Sequence, residues 1–250
     1  MTAFVIRPAE EQPDFEACVD LQIAIWGFEP RDAVPFNQLH PAHLWGGLVL
    51  LALTGNRPIG FSYGFPATQF GKLALYSHML AVLPAYRGQG VGVALKLAQA
   101  RWAIDNGYDL ITWTYDPLEA VNAQLNVTRL GGIAQSYRVN HHGDMGGQLT
   151  GGLPTDRLLL EWHLGDPVVT NIVEGQRVSP TLSYERVVEV PRDFQAIKSA
   201  NPEEALRWRL QTRAQFQEAF GLGYLVVGFR LADGVGQYLL TTRKDRIVAY

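Results

Sequence analysis

The chain has 250 residues, of which 47% are hydrophobic and 18% are charged, a composition typical of one large globular domain or two smaller ones. Its formal net charge of -3 leaves no positive excess to neutralise a nucleic-acid backbone, so we expect no nucleic acid as the main partner. The single cysteine, Cys18, excludes an internal disulfide. No segment is apolar enough for a signal peptide or a membrane span, so the sequence predicts a cytoplasmic protein that does not bind membranes.

The first 165 residues predict strands and helices in alternation. Two β-rich runs flank Thr54-Gly55-Asn56-Arg57, whose glycine and asparagine suit a hairpin turn. Apolar residues recur with helical spacing in 14–25, and Gly107 is placed to stop a helix. The predicted order is strand 3–7, helix 14–25, the hairpin, strand 73–83, helix 91–106, strand 109–115, a helix from Pro117 to Gly131, and strands 133–139 and 156–164.

The composition changes after Asp166, and residues 165–180 have the pattern of an extended connector. We therefore predict two domains, 1–165 and 166–250. The second begins with a strand at 185–190 and ends in a hairpin through Ala232-Asp233-Gly234. Because this extension is small for independent stability, we expect it to pack on the first domain or on a partner subunit. It either closes over an acceptor site or serves as the platform of a homodimer.

A helix is predicted within the extension, with Asn201 as N-cap, proline in the first turn and glutamate at the capping-box position. Its apolar stripe is expected to consist of Leu206, Leu210, Phe216 and Phe220. Its arginines Arg207, Arg209 and Arg213 are expected on a solvated or interface face.

A glycine loop, "YRGQGVGVALK", precedes the helix predicted at 91–106. Glycines next to a helix N-terminus let a phosphate approach backbone N–H groups closely. The dinucleotide pattern G-x-G-x-x-G fails, because Val93 stands where the third glycine belongs, and no G-K-[ST] follows for a P-loop. The pattern that fits is R-x-x-G-x-G, formed by Arg87, Gly90 and Gly92.

The stretch "SHMLAVLPAYRGQGVGVALKLAQARWAIDNGY" resembles the acetyl-CoA-binding motif of the GNAT superfamily of N-acetyltransferases. The order of elements over residues 3–164 is also similar to that superfamily, and "LPTDRLLLEW" resembles a branch with a C-terminal extension. The resemblance implies an α+β fold: a GNAT-like mixed, mostly antiparallel twisted sheet flanked by helices, with a small C-terminal α+β extension. It also implies acetyl-CoA as co-substrate. No metal is expected, because a chain with one cysteine lacks the usual zinc ligands.

The same resemblance implies where coenzyme A binds. Backbone N–H groups of the loop would hold its pyrophosphate, and pantetheine would lie beside the strand that ends at Val82. Asn122 and Asn126, at i and i+4 on one helix face, would hydrogen-bond the pantetheine or the reacting carbonyl. The residues implied in cofactor binding are Leu80, Val82, Arg87, Gly88, Gln89, Gly90, Val91, Gly92, Asn122 and Asn126.

Proton transfer has three candidate residues. His78 occupies a strand position where some GNAT enzymes place a base, and its near-neutral pKa suits that role; the alternative is a half-buried structural histidine. Strand alternation puts Tyr76 on the same face, where it would orient His78 or line the acceptor pocket. Many superfamily members carry a tyrosine acid at the position held here by Val127. Tyr137 is a substitute, and direct release of the thiolate to water remains open.

The acceptor side has two candidates. Arg157 would hold a substrate carboxylate through a bidentate guanidinium, or would instead contact Asp156 or the backbone. Trp113 would line an apolar acceptor pocket together with other aromatic residues such as Trp45, or would lie in the core. His141 and His142 fit an exposed loop better than a metal site.

The sequence thus predicts an acetyl-CoA-dependent N-acyltransferase. It would move an acetyl group directly, in a ternary complex, to an amine of a small-molecule or peptide acceptor. The alternative is an acyl-CoA-binding sensor or scaffold with reduced catalysis. The missing tyrosine favours the alternative, and His78 favours the enzyme.

Overall fold

A computed structural model of the protein describes residues 3–143, 151–176 and 183–242. Residues 144–150, which follow the loop expected at His141 and His142, and residues 177–180 of the predicted connector lie outside these ranges. The chain forms two compact units, residues 1–112 and 113–250. The domain boundary predicted from composition, between residues 165 and 166, falls inside the second unit.

The first unit is a sheet with helices on both faces. Its strands are β1 (Val5–Pro8), β2 (Leu48–Thr54), β3 (Arg57–Gln69), β4 (Lys72–Val82) and β5 (Leu110–Tyr115), which continues into the second unit. They follow the order β1-β2-β3-β4-β5. All pairs are antiparallel except β4 with β5, which pair in parallel at Leu75 with Ile111 and Tyr76 with Thr112. The predicted hairpin between β2 and β3 is confirmed.

Three α-helices cover this sheet: α1 (Gln12–Trp26), α2 (Phe36–Leu44) and α3 (Val91–Asp105), with a 3₁₀ turn at Pro84–Tyr86 before α3. Helix α1 begins at the N-cap Glu11 and ends at Gly27, whose φ of 67° suits glycine. Phe15 and Cys18 of α1 pack with Leu39 of α2 against Leu51 and Phe61. Leu95 of α3 packs in a second cluster with Leu48 and Leu50.

The second unit is an antiparallel sheet in the order β7-β6-β9-β10-β8. Its strands are β6 (Ile133–Arg138), β7 (Arg157–His163), β8 (Arg186–Pro191), β9 (Leu225–Ala232) and β10 (Val235–Thr241). Its helices are α4 (Ala120–Ala123), which continues as a π-helix over Gln124–Arg129, α5 (Pro167–Val173), α6 (Phe194–Ala200) and α7 (Pro202–Gly221). The predicted mixed α+β fold with extra C-terminal strands and helices is confirmed.

The prediction of an extended connector at 165–180 is wrong for its described part, because α5 forms there. Asp166 caps this helix by accepting a hydrogen bond from the Val168 N–H at 2.7 Å. Pro167 occupies the first turn, and Val169 and Val173 are buried. Helix α6 was missed, although Asp193 caps it through the Ala196 N–H.

Helix α7 begins as predicted, with the Asn201 side chain accepting from the Glu204 N–H. The apolar stripe is wrong for two positions, since Leu206 is 39% exposed and Leu210 is 46% exposed. The buried face instead contains Ala205, Arg209, Thr212, Phe216 and Ala219. Arg209 is 2% exposed, so of the two expectations for the arginines, a solvated or an interface face, the solvated one does not apply to it.

Candidate functional site

The glycine loop joins β4 to α3 in the first unit. Gly88 and Gly90 have φ values of 73° and 87°, which side-chain-bearing residues rarely adopt. Added Cβ atoms at either position would meet no heavy atom within 4 Å, so both glycines border open space. The Gln89 side chain closes the turn by donating to the Ala85 carbonyl at 3.0 Å, and the Arg87 Nε donates to the Val82 carbonyl at 3.1 Å.

Helix α3 begins within this loop, with Gly90 as its N-cap. The first intrahelical bond at this end runs from the Ala94 N–H to the Gly90 carbonyl at 2.9 Å. The N–H groups of Val91, Gly92 and Val93 precede that bond and therefore have no carbonyl partner within the helix. They lie at the positive end of the helix dipole, so this end suits a bound anion such as a pyrophosphate.

Gly92 differs from the other two glycines because it has no positive φ. A Cβ there would lie 3.9 Å from Leu80 Cδ2 and 4.0 Å from Val82 Cγ2, which are ordinary van der Waals distances. Glycine inside a helix costs about 1 kcal/mol relative to alanine. The fold itself therefore does not require glycine at this position, whereas a ligand approaching the backbone would.

His78 lies at a β-bulge of β4. Tyr63 of β3 pairs with Met79 and Gly64 pairs with Ser77, so His78 is an extra residue on its strand. Its imidazole is surrounded by the rings of Tyr63, Phe65 and Tyr76, at centroid distances of 5.8, 5.6 and 6.0 Å. Although the residue is exposed, partial burial among these rings lowers the pKa of His78. The neutral imidazole therefore predominates at pH 7.

A buried lysine next to this bulge was missed by the sequence reasoning. Lys96 of α3 is 1% exposed, and its Nζ donates to Ser77 Oγ at 2.9 Å and to Gln99 Oε1 at 2.7 Å. Burial lowers the pKa of this ammonium well below its usual value. The only indication in the sequence that Lys96 is buried was the run of apolar residues on both sides of it, which suits a buried helix.

Tyr137 lies in the second unit, where its hydroxyl donates to Asp156 Oδ2 at 2.9 Å. Its ring stacks on Phe216 of α7 at 5.8 Å. Burial and the neighbouring Asp156 carboxylate raise the pKa of Tyr137, so it keeps its proton at neutral pH. The role of Tyr137 as general acid stays a prediction.

The asparagines predicted to bind pantetheine lie in and after α4. Asn122 is exposed, whereas Asn126 is 5% exposed and belongs to the π-helix. The wider turn of a π-helix changes the four-residue alignment expected for an α-helix, which accounts for their different surroundings. Val127, at the position of the usual acid, is buried at 2% exposure.

The two predicted acceptor residues have different surroundings in the second unit. Trp113 is 8% exposed and packs edge-to-face against Trp162 at 5.8 Å, a position that suits the core. Arg157 is partly exposed and lines a cavity of about 220 Å³ together with residues of α6 and α7. Both substrate-binding roles stay predictions.

Two arginines of α7 form ion pairs that the sequence did not reveal. Arg209 donates to both carboxylate oxygens of Asp116, at 2.8 and 2.5 Å. Arg213 donates to both oxygens of Asp156, at 2.8 and 2.9 Å. The buried Asp156 also accepts hydrogen bonds from Tyr137 and from the Asn140 N–H, so one carboxylate organises the start of β7.

Residues 11–125 match the model of a known protein family, described as the acetyltransferase (GNAT) family. This part of the chain is therefore similar to a GNAT acetyltransferase domain. The glycine loop, the bulge at His78 and α3 all lie within the matched residues. Comparison of the sequence with curated proteins found no significant match.

Solved structures share the GNAT fold with this chain. A protein described as a GNAT-family acetyltransferase from Desulfovibrio desulfuricans has a TM-score of 0.52 at 16% identity, over 65% of this chain and 100% of its own. The ribosomal-protein-S18-alanine N-acetyltransferase of Escherichia coli has a TM-score of 0.50 at 14% identity, over 73% and 100%. The NatC complex bound to Gag peptide and CoA has a TM-score of 0.50 at 16% identity, over 64% and 98%.

Within residues 3–143, 151–176 and 183–242, no group of three or more His, Cys, Asp and Glu side chains could hold a metal ion. His141 and His142 are exposed. No helix in the described part of the chain combines the length and apolar character needed to cross a membrane.

Proposed function

We propose that this GNAT protein is an acetyl-CoA-dependent N-acyltransferase that moves an acetyl group directly to the amine of a small-molecule or peptide acceptor. The observation that carries the proposal is the glycine loop. Gly88 and Gly90 border open space, and Gly92 is a helical glycine that the fold does not require. A pyrophosphate bound at the start of α3 gives a physical reason for all three.

Residues of the first unit suit the binding of coenzyme A. The N–H groups from Gly88 to Gly92, together with the exposed Arg87 guanidinium, would hold the pyrophosphate. Leu80 and Val82, which lie next to Gly92, offer apolar surface to pantetheine. The cofactor would supply an acetyl group activated as a thioester.

We assign the role of general base to His78. An acceptor amine is protonated at neutral pH and must lose a proton before its nitrogen can attack a carbonyl carbon. A neutral imidazole can accept that proton, and the rings around His78 favour the neutral form by lowering its pKa. Tyr76, with its ring 6.0 Å from that of His78, would line the same face.

Two measurements test the function. In a thermal shift assay, acetyl-CoA should raise the melting temperature and NAD should leave it unchanged. Release of free CoA thiol is then measured with a panel of small amines, amino acids and peptides. At least one amine should release CoA well above the rate without acceptor. If acetyl-CoA binds but no amine releases CoA above the rate without acceptor, the enzyme proposal is overturned in favour of a CoA-binding scaffold.

A further inference from the structure

The second unit contains a charged cavity whose ligand no part of the proposed reaction identifies. Its volume is about 220 Å³, and its charged lining residues are Asp116, Glu119, Arg157, Lys198 and Arg209. Pockets for drug-sized ligands measure about 300–1,000 Å³, so this cavity suits a smaller molecule. The lining combines three cationic side chains with two carboxylates, of which Arg209 and Asp116 form an ion pair.

One side of the cavity is fixed by an ion pair. Asp116 and Arg209 satisfy each other through two hydrogen bonds, and the Arg209 guanidinium lies 5.4 Å from the centroid of the Phe194 ring. Arg209 is 2% exposed, and its Nε has no hydrogen-bond partner among the described residues. This pair forms a rigid wall, because moving either partner would separate buried opposite charges.

The other charged groups of the lining differ in the ligand chemistry that they suit. Arg157 offers a planar fork of donors that matches a carboxylate, and the Lys198 ammonium adds positive charge to the same cavity. Glu119 offers carboxylate oxygens that suit an ammonium group. Gln195 orients Glu119 by donating a hydrogen bond to Oε1.

Glu119 is electrostatically coupled to this lining. Burial raises its pKa first, and the Asp116 carboxylate raises it further, whereas Lys198 and Arg209 lower it. The Glu119 carboxylate shares the cavity lining with these two cations and with the Asp116 carboxylate. A ligand ammonium would add one more positive neighbour and favour the charged carboxylate.

We propose that this cavity binds a small molecule that carries both a carboxylate and an ammonium group, of which a free amino acid is the simplest example. The carboxylate is held by Arg157 with help from Lys198, and the ammonium is held by Glu119. The ligand is either the acceptor, in which case the inference rests on the proposed function, or an effector that is not acetylated.

Calorimetric titration of the full chain tests the binding. The probes are the standard L-amino acids, β-alanine and γ-aminobutyrate, followed by the decarboxylated and deaminated analogues of the tightest binder. We expect at least one probe to bind, and each analogue to bind about tenfold or more weakly. The proposal is overturned if no probe binds, or if an analogue that lacks one charged group binds as tightly as its parent.

Two charge-removing variants assign the groups. Arg157→Gln should weaken the best amino acid about tenfold to a hundredfold and leave its decarboxylated analogue unaffected, with partial recovery in Arg157→Lys. Glu119→Gln should weaken the amino acid but not its deaminated analogue. Arg207→Gln and Glu203→Gln make the same charge changes at exposed positions of α7 and should bind as the wild type does. If each variant lost the same affinity for the decarboxylated analogue as for the deaminated analogue, the substitutions would act through the structure and the assignment would be overturned.

A last measurement separates the two sources of the ligand. The tightest binder is incubated with acetyl-CoA and the products are analysed by mass spectrometry. An N-acetylated amino acid identifies it as acceptor, and an unmodified one identifies it as effector. The thermal shift with acetyl-CoA measures cofactor binding and needs no amino acid, so failure of amino-acid binding can be distinguished from failure of the proposed function.

Discussion

Asp116 and Arg209 form a two-hydrogen-bond ion pair, with distances of 2.8 and 2.5 Å, between residues that are 93 positions apart in the sequence. Asp116 directly follows β5, whereas Arg209 belongs to α7 in the predicted C-terminal extension. The extension was expected to pack either on the first predicted domain, residues 1–165, or on a partner subunit. These contacts join residues 166–250 to residues 1–165, as in the first expectation. Both residues of the pair lie within the second compact unit, residues 113–250. Arg213 of α7 and Asp156 form a second ion pair of the same kind, also with two hydrogen bonds.

Replacing Arg209 by methionine should destabilise the second unit by about 3 kcal/mol, since the substitution leaves Asp116 without its partner. The Asp116 side chain is 19% exposed, which places the expected loss at the lower end for a broken buried pair. Urea denaturation followed by tryptophan fluorescence measures the change. Arg207→Met, on the exposed side of α7, should change stability by less than about 0.5 kcal/mol. Similar losses in both variants would contradict the importance of the pair.

Gly92→Ala should separate folding from cofactor binding. The added methyl group meets only ordinary contacts, so the variant should be as stable as the wild type or up to about 1 kcal/mol more stable. Acetyl-CoA should nevertheless bind about tenfold more weakly, because the backbone can no longer be approached closely. Calorimetry measures the affinity. Gly221→Ala, at a helical glycine without nearby atoms, should leave it unchanged.

His78→Ala should lower kcat for CoA release by about 10²–10⁴-fold, the usual contribution of general base catalysis. In the wild type, kcat should rise as pH increases through the lowered pKa of His78 and then level off, since only the neutral imidazole accepts a proton. The variant should lack this rise. His142→Ala, an exposed histidine, should keep the wild-type rate. A pH profile that is unchanged in His78→Ala would remove this residue from the mechanism.

Lys96→Met should change how stability depends on pH. The folded pKa of Lys96 is lowered from the usual 10.5, so between the two values the unfolded state binds one more proton than the folded state. The free energy of unfolding of the wild type should therefore rise with pH up to about 10.5, by at most about 1.4 kcal/mol per unit. The variant loses this slope, which urea denaturation from pH 6 to 10 measures.

The control for Lys96 is Arg101→Met, which removes a charge from the exposed face of the same helix. A guanidinium does not titrate in this range, so this variant should keep the wild-type slope. A Lys96→Met protein with the wild-type slope would show that another group titrates.

Most elements could be predicted from the sequence because their signals are local. The turn at Gly55-Asn56, the Asn201 cap and the helix stop at Gly107 each depend on a few adjacent residues. The segment that forms α5 was misread, although Asp166 and Pro167 are a cap and first turn, because its composition resembles a connector. Helix α6 was missed because only seven residues separate its cap from that of α7.

The sequence by itself determined the glycine loop, since positive φ values, an open helix N-terminus and the GNAT motif all follow from residues that are neighbours in the chain. Only the tertiary structure decided the rest of the chemistry. Arg209 was expected on a solvated or interface face and Lys96 had no predicted role, yet each is buried against partners that the topology supplies, at separations of 93 and 19 residues. The spacing of apolar residues in the sequence indicates which face of a helix or strand is apolar on average. It does not record a single buried ion pair or hydrogen-bonded ammonium, because those depend on which distant residue the fold places opposite.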